Sequence, residues 1–392
     1  MYKRLFSPLS QKKSFFFLGP RQTGKSTLLH EYVPDVQYFD LLDPALFAEF
    51  SARPELLIAH LQGLQNSSRR KDNLKYIVID EIQKMPKLLD AVQFILGKEK
   101  DLAFILTGSS ARKLRKAGQN LLGGRARMVS FCPLTLRELS QVDKDPISKA
   151  IMYGGLPGVR TSTQPTSELR DYVGVYLNEE IMAEALVRNL GNFSRFLRTA
   201  SLCSGEQLNY QKIGNDAQVS GNTVRDYFDI LEDTLIADRI YPFKPVESRK
   251  FVSTPKFYFF DVGVCHFITK KSTSDLGPTE IGKALENLIY CELKAFRSYI
   301  RPDYEIFYWR TQTGHEVDFV LRDSKGEIIA IEIKATKTPS EPDLKGLRAL
   351  SNEIPIKRKI LVCRVARARR TDDNCEILPV MKFVDQLWNE EI

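Results

Sequence analysis

The sequence predicts a chain of several domains: a three-layer α/β domain first, then a helical middle, then an α+β end. Three observations predict it. Short apolar runs alternate with amphipathic stretches over the first third, Pro and Gly punctuation breaks that pattern at 131–160, and from about 279 a helical stretch leads into strands. At 392 residues the chain exceeds one ordinary domain and suits two or three.

In the first third, SFFFLGP (14–20), VQYFDLLD (36–43), YIVIDE (76–81) and LAFILTGSS (102–110) read as buried strands of a parallel sheet. Amphipathic segments such as KSTLLHEYV and PKLLDAVQFILGKEK supply the helices between them. A helical stretch is expected at about 166–200, and 205–243 reads as two short helices, a turn and a third helix. The helix EIGKALENLIYCELKAFRSYI then precedes strands at 304–310, 315–322 and 327–335. The expected domains are 1–135, a helical connection or lid at 136–204, a helix-turn-helix segment at 205–245, and 246–392.

Composition narrows the class. With 43% hydrophobic and 27% charged residues the chain reads as soluble and globular. No run approaches the ~18 to 20 apolar residues of a membrane-spanning helix, so no membrane partner is expected. The start, MYKRLFSPLSQKK, has no apolar signal core. Six cysteines without a CxxC pair and only four histidines argue against a zinc module and for reduced thiols, hence a cytoplasmic location. The net charge of +8 is unevenly spread: 109–130 carries six basic groups and no acid, and 354–370 carries seven and no acid. Such blocks are either a solvated surface or a face for nucleic-acid phosphate.

The segment GPRQTGKST (19–27) matches G-x-x-x-x-G-K-[ST] between an apolar strand and a helical pattern, the context that a phosphate-binding loop requires. Gly19 and Gly24 permit the turn and the close backbone approach. Pro20, Arg21, Gln22, Thr23 and Thr27 complete the cradle. Lys25 places a positive charge at the β- and γ-phosphates of ATP, and Ser26 suits a Mg²⁺ ligand at a helix N-terminus. Asp80 and Glu81 end an apolar strand, where the Asp holds the magnesium shell and the Glu polarises water. Thr107 and Ser109 are candidate sensors of the γ-phosphate. Arg125 is the first candidate for an arginine that reaches the γ-phosphate in its own or a neighbouring subunit, which admits a homo-oligomer; Arg127 and Arg21 compete for that role.

Together GPRQTGKST, YIVIDEIQK, LTGSSARKL, LLGGRA, PLTLREL, YGGLPGV and TVRDYFDILEDTLIADRIYPF resemble the AAA-type P-loop ATPases of bacteria and archaea. Those proteins carry a C-terminal domain of unknown function similar to PD-(D/E)xK nucleases. The resemblance covers nearly the whole chain. It implies a P-loop NTPase core, a winged-helix-like middle and a C-terminal restriction-endonuclease-like fold.

The residues of the middle and the end agree with that organisation. In 209–236, Ile213 and Ala217 suit the first helix of a helix-turn-helix, and Val224, Tyr227, Phe228 and Leu231 repeat on the second. Asn222 and Arg225 suit DNA, whereas Asp226, Asp229, Glu232 and Asp233 repel phosphate, which favours packing over DNA reading. In HEVDFVLRDSKGEIIAIEIKAT, Glu332 and Lys334 at i and i+2 share one strand face, Asp318 belongs to the neighbouring strand, and Glu286 to the preceding helix. These acids suit Mg²⁺ or Mn²⁺ and Lys334 suits orientation of the nucleophile in phosphodiester hydrolysis; a cross-strand salt-bridge ladder is the alternative. His315 is expected to be structural. The preferred function is an ATPase coupled to a DNA-associated nuclease-like domain; the alternative is an ATP-dependent switch that binds DNA or a protein through an inactive nuclease-like fold.

Overall fold

The computed structural model describes residues 2–33, 36–65, 75–110, 122–177, 189–244, 254–270 and 276–392. It divides into two compact units, Arg4–Phe131 with Asp233–Leu235, and the remainder of the chain.

The first unit is built on five strands, β1 (Phe15–Leu18), β2 (Gln37–Asp40), β3 (Lys75–Asp80), β4 (Leu102–Gly108) and β5 (Arg127–Ser130). They pair in the order β2-β3-β4-β1-β5, all parallel. The apolar runs at 14–20, 76–81 and 102–110 become its three inner strands, buried along almost their whole length. Continuous rather than alternating apolarity follows from burial on both faces. One face carries Phe16, Leu18, Ile79 and Leu106 into a core shared with Leu88, Val92 and Ile95 of the helix Leu88–Lys98. On the other face Phe17 stacks on Phe6 at 5.2 Å and meets Phe131 at 4.7 Å. The connection from β1 runs to β2 at one side of the sheet and that from β4 passes β1 to β5 at the other, so the strand order reverses beside β1, where an open parallel sheet has its crevice at the carboxyl ends of the strands.

The second unit begins with helices Pro146–Tyr153, Pro165–Asp171 and Leu190–Leu202. The helical stretch expected at 166–200 continues from Pro165–Asp171 into a π turn at Tyr172–Leu177 and is broken at Asn189, an extended N-cap before Leu190–Leu202; residues 178–188 lie outside the described residues. Helices Tyr210–Ala217 and Gly221–Asp233 follow, capped by Asn209, whose side chain accepts from the Lys212 N–H, and by Ser220, which accepts from Thr223. The third helix expected before 243 is instead a strand, β6 (Ala237–Ile240), antiparallel to β7 (Lys256–Phe259). Leu235 at φ 62° leaves the helical region, and the four residues of β6 bury Ala237 and Ile240 while Asp238 and Arg239 face partly outward.

The end of the chain forms a six-stranded mixed sheet of β8 (Glu305–Arg310), β9 (Glu316–Arg322), β10 (Ile328–Lys334), β11 (Arg358–Cys363), β12 (Arg369–Arg370) and β13 (Cys375–Pro379), ordered β12-β13-β11-β10-β9-β8. Strands β10, β11 and β13 are mutually parallel. The helix Pro278–Tyr299 packs Leu285, Ile289 and Phe296 into a core with Phe319, Ile331 and Val362. Val317, Val320, Ala330 and Leu361 face the opposite core with Leu347 and Leu350. Among the described residues no helix is long and apolar enough to cross a membrane, and all six cysteines are free thiols.

Glu292 of the Pro278–Tyr299 helix is buried, 1% exposed, and accepts from Trp388 Nε1 at 2.7 Å and from the Leu136 N–H. Burial, with Glu138 nearby, pushes its carboxyl up to about 8 against those two donors. Between the usual carboxylate range and about 8 the folded chain therefore keeps a proton that the unfolded chain has released. Stability falls as pH rises through that window, by at most about 1.4 kcal/mol per pH unit, and levels above it. Glu292→Gln is expected to flatten the melting temperature against pH over this window; an unchanged slope assigns the proton elsewhere.

Candidate functional site: a phosphate-binding loop and a carboxylate cluster

The loop after β1 has the backbone that its glycines allow. Gly24 sits at φ 90° as the N-cap of the helix Lys25–Tyr32, and Gln22 at φ 62° is left-handed too. A Cβ on Gly19 would lie 2.3 Å from the Phe131 carbonyl oxygen, so only glycine fits there. Thr23 Oγ1 donates to Pro20 O at 2.9 Å, and Arg4 donates to Thr23 O at 2.7 Å, which closes the loop on itself. Lys25 Nζ is buried and donates to Gly19 O at 2.7 Å and Pro20 O at 3.0 Å. A phosphate in the loop would offer this ammonium charged oxygens in place of neutral carbonyls, a stronger partner. Ser26 and Thr27 are exposed on the first helical turn.

The ends of β3 and β4 complete this site. Asp80 Oδ2 accepts from Ser26 Oγ at 3.3 Å and from the Tyr38 hydroxyl, and Oδ1 accepts from Thr107 Oγ1. Glu81, at φ 59°, turns out of the strand, and its N–H donates to Thr107 Oγ1 at 3.2 Å. Its carboxylate accepts from Gln83 Nε2 at 2.5 Å, and the same amide donates to Ser109 Oγ at 3.3 Å. Gly108 leaves room for Gln83: a Cβ there would meet the amide oxygen at 2.4 Å. Lys25, Ser26, Asp80, Glu81, Thr107 and Ser109 thus meet at one sheet edge. A hydroxyl beside a carboxylate is the donor set that Mg²⁺ takes together with water and phosphate oxygens.

Two members were missed by sequence reasoning. Tyr38 on β2 stacks on His30 at 4.8 Å, and burial, then its bond to Asp80, raises its hydroxyl. Gln83 lies two residues past Glu81 in a buried 3₁₀ turn; a polar residue flanked by Ile82 and Met85 was the available signal. Of the candidate arginines, Arg21 is part of the loop and half-buried, while Arg125 and Arg127 are exposed.

In the second unit the carboxylates do converge, but on a lysine. Lys256 Nζ, its side chain 4% exposed, lies 3.0 Å from Glu286 Oε1, 2.5 Å from Glu316 Oε1 and 3.5 Å from Asp318 Oδ1. Tyr258, on the same face of β7, donates to Glu286 Oε1 at 2.5 Å. Asp318 Oδ2 accepts from the Ile333 N–H at 2.8 Å, and Lys334 Nζ reaches Glu332 Oε1 at 2.5 Å. Arg310 bonds the far oxygen of Glu316 at 2.9 Å. Burial and the Asp318 charge push Glu286 up to about 7 and raise Glu332 as well. Burial opposes the charge on Lys334, but Glu332 and Asp318 outweigh it and hold it at about 12. Burial likewise opposes the Lys256 charge, and Tyr258 with Glu286, Asp318 and Glu316 raises it well above its usual value.

This donor set does not fit a divalent ion as it stands. Among the described residues no three His, Cys, Asp or Glu groups are arranged to hold a metal. The oxygens around Lys256 share a focus, and the Lys256 ammonium occupies it. The acids expected as a metal set, Glu286, Asp318 and Glu332, are divided between two lysines. Glu286 and Asp318 gather with Glu316, while Glu332 pairs with Lys334. The signal for Lys256 in TPKFYFF is weaker than that for Glu332, a charge at the head of an apolar run rather than within it. His315 is exposed in the turn before β9.

Of the two basic blocks, 354–370 has three of its groups paired with acids of the same fold. In the 354–370 block Arg358 pairs with Glu376 at 2.8 Å, Lys357 with Glu327 at 2.5 Å, and Lys359 with Asp373 at 3.7 Å. Residues 111–121 of the other block lie outside the described residues. On the paired helices Val224, Tyr227, Phe228 and Leu231 are all buried, while Asp229 and Glu232 pair with Arg239.

Comparison with known proteins divides the chain in three. Residues 11–140 match the AAA domain family, 144–275 a domain of unknown function (DUF8612), and 281–383 a second domain of unknown function (DUF4143). An uncharacterized protein of Mycobacterium tuberculosis is 26% identical over 347 residues, 86% of this chain and 74% of that protein. One of Methanocaldococcus jannaschii is 23% identical over 312 residues, 69% of this chain and 63% of that protein. Among solved structures, the Aeropyrum pernix ORC2 protein in its ADPNP-ADP complexes is 13% identical at TM-score 0.36, with 66% of this chain and 88% of that one covered. A STAND protein of Pyrococcus horikoshii with a tetratricopeptide repeat sensor is 13% identical at TM-score 0.24, covering 74% and 46%. Likeness at such scores carries no weight for function. The match of residues 11–140 to the AAA domain family and the loop geometry together support a P-loop ATPase domain there.

Proposed function

We propose that the first unit binds ATP with Mg²⁺ and hydrolyses it, and that the rest of the chain is a binding module whose state follows the nucleotide. The carrying observation is the junction of the loop with the strand ends, where Ser26 lies 3.3 Å from Asp80 and Glu81 is anchored to Thr107. Lys25 and the loop N–H groups bind and orient the phosphates. Ser26 and Asp80 are the residues that would hold Mg²⁺, which supplies charge neutralisation between phosphate oxygens when bound. Glu81 takes the proton of the attacking water, and Gln83 aims its carboxylate. Arg125 remains the arginine proposed to meet the γ-phosphate, in the same or a neighbouring copy.

For the remaining domains we adopt the switch reading, with a winged-helix-like middle and a nuclease-like end that bind rather than cut. What supports it is the lysine at the centre of the carboxylates. Purified full-length chain is expected to release phosphate from ATP only with Mg²⁺, and Lys25→Ala to abolish nucleotide binding and turnover together. Unchanged turnover in Lys25→Ala would overturn the assignment of the loop.

A further inference from the structure

The carboxylates of the C-terminal sheet have an internal cation at their focus. Lys256 does not reach them by chance of a flexible surface side chain: it starts from β7, paired with Ile240 across β6, and is buried along its length. The β7 register also sets Tyr258 on that side, so one strand delivers both a cation and a hydroxyl to Glu286. Three further elements deliver the acids and hold them: Glu286 comes from the helix Pro278–Tyr299, Glu316 and Asp318 come from β9, and the β10 backbone steadies Asp318. The focus is at the wall of an open cleft of about 650 Å³ lined by Glu286, Asp318, Lys334, Thr336, Asp343 and Arg364. Beside it Glu332 is 5% exposed, and its Oε2 has no hydrogen-bond partner.

We propose that this cluster takes no divalent cation because Lys256 occupies its focus, the ammonium supplying the charge that a metal ion would otherwise bring. The inference deepens the reading of the C-terminal domain as a binding module and is independent of the ATPase assignment. Its chemistry is simple. Removing the ammonium leaves the carboxylates of Glu286, Glu316 and Asp318 facing one another uncompensated, and a hard divalent cation is the species that relieves this with oxygen ligands alone. While Lys256 stays in place, a metal has neither a free focus nor unpaired charge to bind.

The test is Mn²⁺ binding to the full-length chain without nucleotide, followed by electron paramagnetic resonance and by the thermal shift that Mn²⁺ produces. Wild type and Lys256→Arg are expected to show no saturable Mn²⁺ binding that depends on Asp318. Lys256→Met is expected to gain a saturable Mn²⁺ site and a metal-dependent rise in melting temperature, both lost in Lys256→Met with Asp318→Asn. Saturable binding to wild type that Asp318→Asn removes overturns the proposal, as does a folded Lys256→Met that gains no site. Should Lys256→Met fail to fold, Lys256→Gln, which also removes the ammonium but keeps a polar side chain, takes its place in the same comparison. ATP turnover should be unchanged in every folded variant, so failure here leaves the P-loop assignment standing.

Discussion

Glu81→Gln is expected to lower ATP turnover about 10²- to 10⁴-fold while leaving nucleotide affinity near that of wild type. The substitution keeps the shape of the side chain and removes only the group that accepts a proton. Binding is carried elsewhere: by Lys25, buried against the loop, and by Ser26 and Asp80. Glu81 touches none of these through its carboxylate, which instead meets Gln83. Steady-state phosphate release together with calorimetric ATP binding separates the two effects. Full turnover in Glu81→Gln would remove Glu81 from catalysis, and loss of binding alone would make it a structural strand end. Asp80 offers no substitute base, because both its oxygens are already committed to Ser26, Tyr38 and Thr107.

Phe228→Ala should destabilise the second unit by about 3–5 kcal/mol, against a typical domain stability of about 5–15 kcal/mol. Phe228 is fully buried at the junction of the paired helices with β7. Its ring meets Phe196 at 4.9 Å, Phe257 at 4.7 Å and Tyr210 at 5.9 Å. Truncation removes these edge contacts and leaves a cavity among aromatic neighbours too bulky to collapse into it. Urea denaturation followed by tyrosine and tryptophan fluorescence should show the midpoint fall with ATP turnover of the folded protein retained. A shift within a few tenths of a kcal/mol would mean that this helix face is not a core.

Much of the nucleotide site is legible in the order of the residues alone. A phosphate-binding loop is a local object: nine consecutive residues set its backbone, and the apolar strand and the helix beside them supply its context. Asp80, Glu81 and Thr107 are legible for a related reason, since parallel strands of similar length end at one edge and bring their last residues together. Tyr38 and Gln83 escape because neither belongs to a motif; their roles exist only once β2 lies beside β3 and Gly108 opens space for an amide.

The C-terminal end shows the other side. The spacing of Glu332 and Lys334 and the extents of β8, β9 and β10 agree with the sequence pattern to within a residue, because period-two alternation is a property of the chain itself. The partner of each charge is not. Lys256 comes from a different strand and supersecondary unit than Glu316 and Asp318, and the paired basic block needs acids from β13 and two turns. The strand in place of a third helix at 237–240 is likewise decided by pairing with β7, which a four-residue segment cannot announce.

By itself, then, the sequence determined the loop, the strand periodicity and the identity of the ionisable groups, all of which depend on residues close in the chain. Only the tertiary structure decided which charge faces which. Electrostatic partnership is a matter of distances between elements far apart in sequence, and the same acids are metal ligands or a lysine's counter-ions according to what the fold sets at their centre.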